Sequence, residues 1–308
     1  MGVELQDKRE NPSPVTAVTI AYGLLFASTS HFSRNFMRVE ACCQSLLKEI
    51  LPHIDPHREG VCLDVGVGSF AFYCDLFSQL GFSTVAVEPS PNSKLRRICQ
   101  RNSIQLLECC LSNNNGTQNL HLGRFARLAN GNFNSLEAEW FASSKQTKLV
   151  ETINLSKLLR LTASSTVTCL KLDIEGWESV VIKQIPTLPA LQYPKVIMFE
   201  YGGGGRRHNG KKGWSPKFLQ GTMTCLETLK NCGYGFSIMI DYAAEARTKI
   251  FDLNSLHLDP NSIFPPNAVY GNIISFRGYT YSESAIAQIT KPYNSKWFDW
   301  VMEKLVTD

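Results

Sequence analysis

The 308-residue chain has no Cys-x-x-Cys pair, no apolar run long enough to cross a bilayer and no strong excess of charge of either sign. Each lack removes a class of protein. Its ten cysteines include two adjacent pairs, Cys42 with Cys43 and Cys109 with Cys110, while Cys62, Cys74, Cys169 and Cys225 fall inside apolar patterns. That placement suits neither a zinc site, a redox motif nor a disulfide framework, so the thiols are expected to be reduced core residues of a cytoplasmic protein. With 31 basic and 27 acidic residues the formal charge is +4, too mild to imply nucleic acid, and only residues 206–212 form a basic cluster. The apolar stretch at 15–27 is too short to span a membrane, and Glu4, Asp7 and Glu10 do not suit a signal peptide, so a buried element is expected there. Repeats are absent, and so is low-complexity sequence beyond the four glycines at 202–205. What remains is an ordinary globular composition, 44% hydrophobic, 19% charged and 10% aromatic. It supplies a sizeable core without staples.

The periodicity then sets the class. Apolar residues recur at helical spacing over 31–51, and Pro52 is expected to end that helix. Strand-like runs follow at 61–65, 84–87, 104–110, 168–174, 196–200, 236–240 and 272–276, with helical patterns between them at 71–80, 92–101, 154–161, 177–184 and 217–231. Seven strands with interleaved helices predict an α/β fold, a mostly parallel sheet with helices on both faces. Residues 57–280 are assigned to this domain, 1–56 to an N-terminal extension and helix, and 281–308 to a C-terminal helical segment carrying Trp297, Phe298, Trp300 and Val301 on one face. The stretch 112–151 interrupts the alternation. A turn at Asn113 to Gly116 predicts a hairpin reaching His121, with a lid or connector beyond it.

Chemistry concentrates at three strand ends. The run from Val61 to Phe72 is a strand ending at Asp64, followed by Gly66, Gly68 and Ala71 in a G-x-G-x-x-A pattern that opens a helix. Such a loop lets backbone approach a nucleotide closely. A second strand ends at Glu88, and 88 − 66 = 22 residues separate that acid from the first glycine, the spacing at which a carboxylate accepts ribose hydroxyls. Asp64 discriminates between ligands. A carboxylate beside the loop, with no Lys or Arg in it, would repel a pyrophosphate and suit a sulfonium with an ammonium tail, so a methyl donor is favoured over NAD(P). The third strand end delivers Asp173 and Glu175 to the same edge, Glu175 being placed either for chemistry or to cap the next helix.

The Lys-Leu-Asp-Ile-Glu-Gly-Trp-Glu run at 171–178, with Val87-Glu-Pro89, Leu111-Ser-Asn-Asn-Asn-Gly116 and the segment 151–159, resembles the FkbM family of S-adenosylmethionine-dependent methyltransferases over about residues 60–240. The resemblance implies a Rossmann-like, seven-stranded class I methyltransferase sheet whose last strand runs antiparallel. It also implies S-adenosylmethionine as cofactor and O-methylation of natural products, sugars or related small molecules. Residue by residue, it implies that Asp64, Gly66 and Gly68 bind the donor's amino-acid end, that Glu88 holds the ribose and that Cys110, Leu111 or Ser112 borders the adenine. Asp173, with Glu175 beside it, would face the methyl-transfer centre. The chain departs from the family in its first loop, where Gly68 replaces an asparagine and Phe70 a glycine.

On the acceptor side Glu200 ends the fifth strand, and Gly202 to Gly205, Arg206, Arg207 and His208 follow. The glycines predict an approachable loop, the arginines a clamp for an anionic group such as a peptide carboxylate, and Glu175, Glu200 and His208 are the candidate acids and bases. His31 and Arg34 are placed to close over the donor from the N-terminal helix. No metal is expected. A NAD(P)-dependent oxidoreductase and a binding protein that keeps the fold without chemistry are the competing readings.

Overall fold

The computed structural model describes residues 38–125, 128–162, 164–243 and 247–294. The element expected at 15–27, His31 and Arg34, and the C-terminal aromatic helix lie outside them. Helix α1, Arg38–Ile54, carries Pro52 inside its last turn rather than stopping there. The carbonyl that Pro52 leaves without a helical partner belongs to Lys48, which faces water, so the turn continues cheaply. Its apolar stripe, including Leu46, Leu47, Ile50 and Leu51, is buried to 1% exposure or less.

Strands β1 (Val61–Val65) and β2 (Ser83–Val87) flank helix α2 (Phe72–Gln79), and helix α3 (Ser93–Arg101) leads to the short β3 (Gln105–Leu107). The chain then leaves the main sheet for β4 (Cys110–Leu111), β5 (Gly116–Phe125), β6 (Leu128–Ala129) and β7 (Ser143–Ile153). It returns through α4 (Leu155–Arg160), β8 (Val167–Leu172), α5 (Glu178–Ile182), β9 (Val196–Gly202), α6 (Pro216–Asn231), β10 (Tyr234–Asp241), β11 (Thr248–Asp252), α7 (Pro260–Ile263), β12 (Tyr270–Arg277) and α8 (Glu283–Thr290). Asn92 and Asn154 start α3 and α4 by accepting the amide hydrogens of Leu95 and Lys157, both at 2.8 Å.

The main sheet has eight strands in the order β11-β10-β12-β9-β8-β1-β2-β3. The run from β3 to β9 is parallel, and β12 lies antiparallel between β9 and β10, as expected of the last strand. The eighth strand, β11, pairs antiparallel on β10 and was not among the seven predicted. It is a five-residue, half-buried edge, too short for its alternation to stand out. β1 and β8 are buried at every position, which is why they read as continuous apolar runs. One face of the sheet packs on α1, α2 and α8 through residues such as Cys62, Met198 and Ile274; the other packs on α4, α5 and α6.

The interruption at 112–151 is a second sheet, ordered β4-β7-β5-β6. The turn at 113–116 does not close the hairpin expected to reach His121: β4, before it, pairs parallel with β7, and β5, after it, pairs antiparallel with β7 from Gly116 and Thr152 onward, so β7 lies between the two. The strand expected at 104–110 is split. Gln105–Leu107 stays in the main sheet and Cys110–Leu111 crosses to pair with β7. All ten cysteines are free and buried. Among the described residues no helix is long and apolar enough to cross a membrane.

Candidate active site

The carboxyl ends of β1, β2, β8 and β9 meet at one edge of the sheet. Asp173, directly after β8, donates its amide to Val65 at 3.1 Å, and Gly66 donates to Val87 at 3.0 Å. Gly66 is obligatory for a reason the sequence did not reveal. A Cβ there would stand 1.7 Å from the Asp173 carbonyl oxygen, so the close approach is to the protein's own backbone rather than to a ligand.

Above this edge lies a cavity of about 500 Å³, lined on the strand side by Gly66, Gly68, Glu88 and Asp173 and on the far wall by Cys110 and Leu111. The second sheet roofs it with Asn132, Asn134 and Leu136. Asn132 also fastens the loop, its Oδ1 accepting the Ser69 amide at 3.0 Å. Glu88 is 8% exposed; its two oxygens accept the amides of Gly68 and Ser90, both at 3.0 Å. Burial pushes its carboxyl up from the ordinary range, against those two amides. Ser112 does not border the cavity. It is fully buried, and its hydroxyl accepts from Gln118 at 2.8 Å and Trp177 at 3.4 Å. Phe70 turns away as well, stacked on Phe72 at 5.2 Å with Lys94 above it at 5.4 Å. The family departure at this position therefore leaves the cavity wall unchanged.

Asp64 also sits behind the wall. It is 1% exposed, accepts the Cys74 amide at 2.9 Å and pairs with the Lys171 ammonium at 3.1 Å. Lys171, 3% exposed, reaches Asp173 at 3.5 Å, donates to the Gly66 carbonyl at 3.0 Å and lies 5.3 Å from the Tyr73 ring. Burial opposes its charge, but Asp64, then Asp173 and Glu40, outweigh that and hold its pKa above the usual lysine range. From α1, Glu40 joins the same network by accepting from Tyr73 and from Asn272. Sequence reasoning gave Lys171 no role. The available signal was a lone lysine inside an otherwise apolar, buried strand, which demands a buried anion.

The second group of acids converges beside the first cavity. One oxygen each of Asp173, Glu175 and Glu200 lie within 4.8 Å of one another. Glu175 holds a left-handed backbone, φ 57°, and accepts the Trp140 indole N–H at 2.5 Å, so it is fixed rather than capping α5. Glu178, the first residue of α5, ties down the loop ahead of the helix by accepting the Ile174 amide at 2.8 Å, and the N-cap position, Trp177, makes no side-chain cap. Burial raises the Glu175 pKa strongly, with the Asp173 charge second; Glu200 is raised by burial, then by Asp173, Glu175, Glu178 and Glu40. Glu178 is pushed up to about 7 by burial, against backbone hydrogen bonds.

Glu200 faces a second cavity of about 620 Å³ between α5 and α6. His208 is not brought there. It is exposed, with its Nδ1 3.2 Å from the Pro266 carbonyl, and lines neither cavity. The expected anion clamp is a structural tie instead, Arg207 donating to the Phe264 carbonyl at 2.7 Å and Asn261 at 2.6 Å. Nor is the glycine run an open loop. Its first members lie under rings, a Cβ on Gly202 falling 2.8 Å from Trp214 and one on Gly203 2.9 Å from Phe141.

The donor set decides between ligands. Among the described residues the first cavity is lined by three carboxylates, Glu88, Asp173 and Glu175, and by no lysine, arginine or histidine. A pyrophosphate would meet only repulsion there, whereas a cationic adenosyl sulfonium fits. No curated protein matches the chain. Loose structural overlaps include the magnesium protoporphyrin IX methyltransferase ChlM from Synechocystis PCC 6803 with bound SAM, at 10% identity, TM-score 0.37, over 85% of this chain and 92% of that one. Another is the 1,6-didemethyltoxoflavin-N1-methyltransferase from Burkholderia thailandensis, at 13% identity, TM-score 0.34, over 89% and 93%. A third is the methyltransferase domain of bacterial CtHen1, at 12% identity, TM-score 0.34, over 77% and 100%. The family match carries the assignment: residues 58–236 match the methyltransferase FkbM domain, more than half of the chain. The chain belongs to the FkbM family and is an S-adenosylmethionine-dependent methyltransferase.

Proposed function

We propose that the protein methylates a hydroxyl oxygen of a small molecule, with Glu200 receiving the hydroxyl proton. The observation that carries this is the meeting of the two cavities. Glu200 lines the second, Asp173 and Glu175 line the first, and their oxygens lie within 4.8 Å of one another. A hydroxyl held at Glu200 is thus one methyl group away from the donor cavity. The bound donor supplies an electrophilic methyl on a positive sulfur. The residues do the rest. Glu88 takes the ribose hydroxyls, Cys110 and Leu111 flank the adenine, and the Gly66 to Gly68 backbone meets the amino-acid end. Asp64 acts through Lys171 as a positioning residue, and Asp173 and Glu175 set a negative field along the transfer line. As the oxygen–carbon bond forms and the carbon–sulfur bond breaks, the proton passes to Glu200. Burial and its acidic neighbours hold its pKa up, and a cation bound in the first cavity would favour the ionised form that takes the proton. Ten free buried thiols support a reducing, cytoplasmic setting, and the family resemblance supports a natural product, sugar or related small molecule as acceptor.

The test is the nature of the product. With methyl-labelled donor and a panel of alcohols, amines and carboxylates, label should appear as an alkali-stable ether. Label released by mild alkali, or found on nitrogen, would overturn the reading. For the donor, Glu88→Gln should weaken S-adenosylhomocysteine binding by about tenfold or more in calorimetry, since hydrogen bonds to a charged acceptor are worth about 1.5–3 kcal/mol. Unchanged affinity would remove Glu88 from the ribose site.

A further inference from the structure

The second cavity has a chemical bias of its own. Its carboxyl and amine lining groups are Glu137, Glu178, Glu200 and a single base, Lys217. That one ammonium is already shared, 2.8 Å from Glu137 and 2.7 Å from the neighbouring Glu139. Among the described residues no other lysine, arginine or histidine lines the space. Four aromatic residues complete the wall, Trp140, Trp177, Tyr201 and Phe218, with Trp140 edge-on to Phe218 at 4.9 Å. Aromatic faces attract cations and flat rings, and they offer nothing to an anion.

We propose that this cavity between α5 and α6 seats the methyl acceptor, and that it takes a ring-bearing alcohol or phenol carrying a protonated amine while excluding anions of the same shape. The hydroxyl lies at Glu200, deep in the cavity, and the ammonium lies toward Glu137 and Glu139 at the Lys217 end. There it meets two carboxylates that hold only one positive charge between them. An acceptor carboxylate would find three acids and no unshared base. This inference rests on the reading of Glu200 as the proton acceptor at the point of transfer.

The charge preference is readable without turnover. Protein saturated with S-adenosylhomocysteine is titrated, by calorimetry and by tryptophan fluorescence, with tyramine, 4-ethylphenol and 4-hydroxyphenylacetate. These are phenols of similar shape with positive, zero and negative charge. Tyramine should bind about tenfold or more tighter than 4-hydroxyphenylacetate, with 4-ethylphenol between them. Glu137→Gln should narrow that gap. Gly221→Met should abolish tyramine binding with S-adenosylhomocysteine affinity unchanged. Gly221 lines the cavity from α6, and a Cβ there meets nothing nearer than the Ser179 hydroxyl at 3.4 Å, an ordinary contact, so α6 tolerates a side chain at this cavity-lining position. Binding of none of the three probes, equal or tighter binding of the anion, or tyramine binding that survives Gly221→Met overturns the inference. The two readings fail separately. Ester or N-methyl products sink the hydroxyl reading and leave the probe ranking standing, whereas a reversed ranking with ether products sinks only the charge preference.

Discussion

Glu200→Gln is expected to lower turnover by about 10²–10⁴-fold, the usual worth of a positioned base, while S-adenosylhomocysteine affinity stays within a few-fold of the parent. The same change should make the protein more stable. Glu200 is pushed well above the carboxylate range by burial and by the charges of Asp173, Glu175, Glu178 and Glu40, and its Oε2 is buried without a hydrogen-bond partner among the described residues. Ionising it in the folded state is therefore unfavourable, and glutamine has the same shape without that penalty. The sign follows from proton binding. The folded protein holds this proton more tightly than the unfolded chain, so the parent loses stability as pH rises from the unfolded value, about 4.3, through the raised folded value. The Tm advantage of Glu200→Gln should be close to nil near pH 4 and grow toward neutrality to about 2 °C or more. Parental turnover in the variant would place the base elsewhere. A Tm difference that is flat with pH would contradict the raised carboxyl.

The largest loss of stability is expected from Lys171→Met. Methionine keeps most of the volume but removes the ammonium that pairs with Asp64 at 3.1 Å and Asp173 at 3.5 Å and caps the Gly66 carbonyl at 3.0 Å. Asp64, 1% exposed, would then retain the Cys74 amide but no counter-charge. Stranding a buried charge in this way costs about 3–5 kcal/mol, a large part of the roughly 5–15 kcal/mol that holds a domain together. Urea unfolding should show the midpoint dropping accordingly. Asp64→Asn added to Lys171→Met should restore much of the loss, because the stranded charge goes with it. A single variant within about 1 kcal/mol of the parent would mean that water reaches the pair, and the double variant falling further would mean that the two side chains act independently.

Much of this was legible in the chain because it lives in short range. β1, β2 and β8 are buried on both faces and therefore read as apolar runs, and their terminal acids, Asp64, Glu88 and Asp173, reach the same sheet edge by parallel topology alone. Glu200 was legible on the same ground, as the last acid of a predicted strand. What the sequence hid was the direction in which each side chain turns. Asp64 was read as a ligand contact and instead holds Lys171 and the start of α2, because a carboxylate at the end of a strand buried on both faces turns toward the nearest buried cation. Ser112 is one residue past the stretch that lines the cavity, and its hydroxyl is taken up by Gln118 and Trp177 instead, partners that no local pattern names. His208 and the arginines sit on a turn whose course depends on Phe264 and Pro266, residues more than fifty positions away. The second sheet was missed for a related reason: β7 is mostly exposed, so its strand pattern lacks the apolar alternation that would announce it.

Helix α1 lies wholly ahead of residues 58–236, the part shared with the family, yet its Leu46, Leu47 and Ile50 share one core with Cys62, Cys169 and Met198 from the strands of that part. Its Glu40 belongs to the network around Lys171. The unit that relatives have in common is therefore smaller than the unit that folds. In this chain the segment matched to the family draws part of its core and part of the electrostatics of its centre from a helix that lies outside it. Recombining that segment alone onto another protein would transfer the motif without the environment that makes it work.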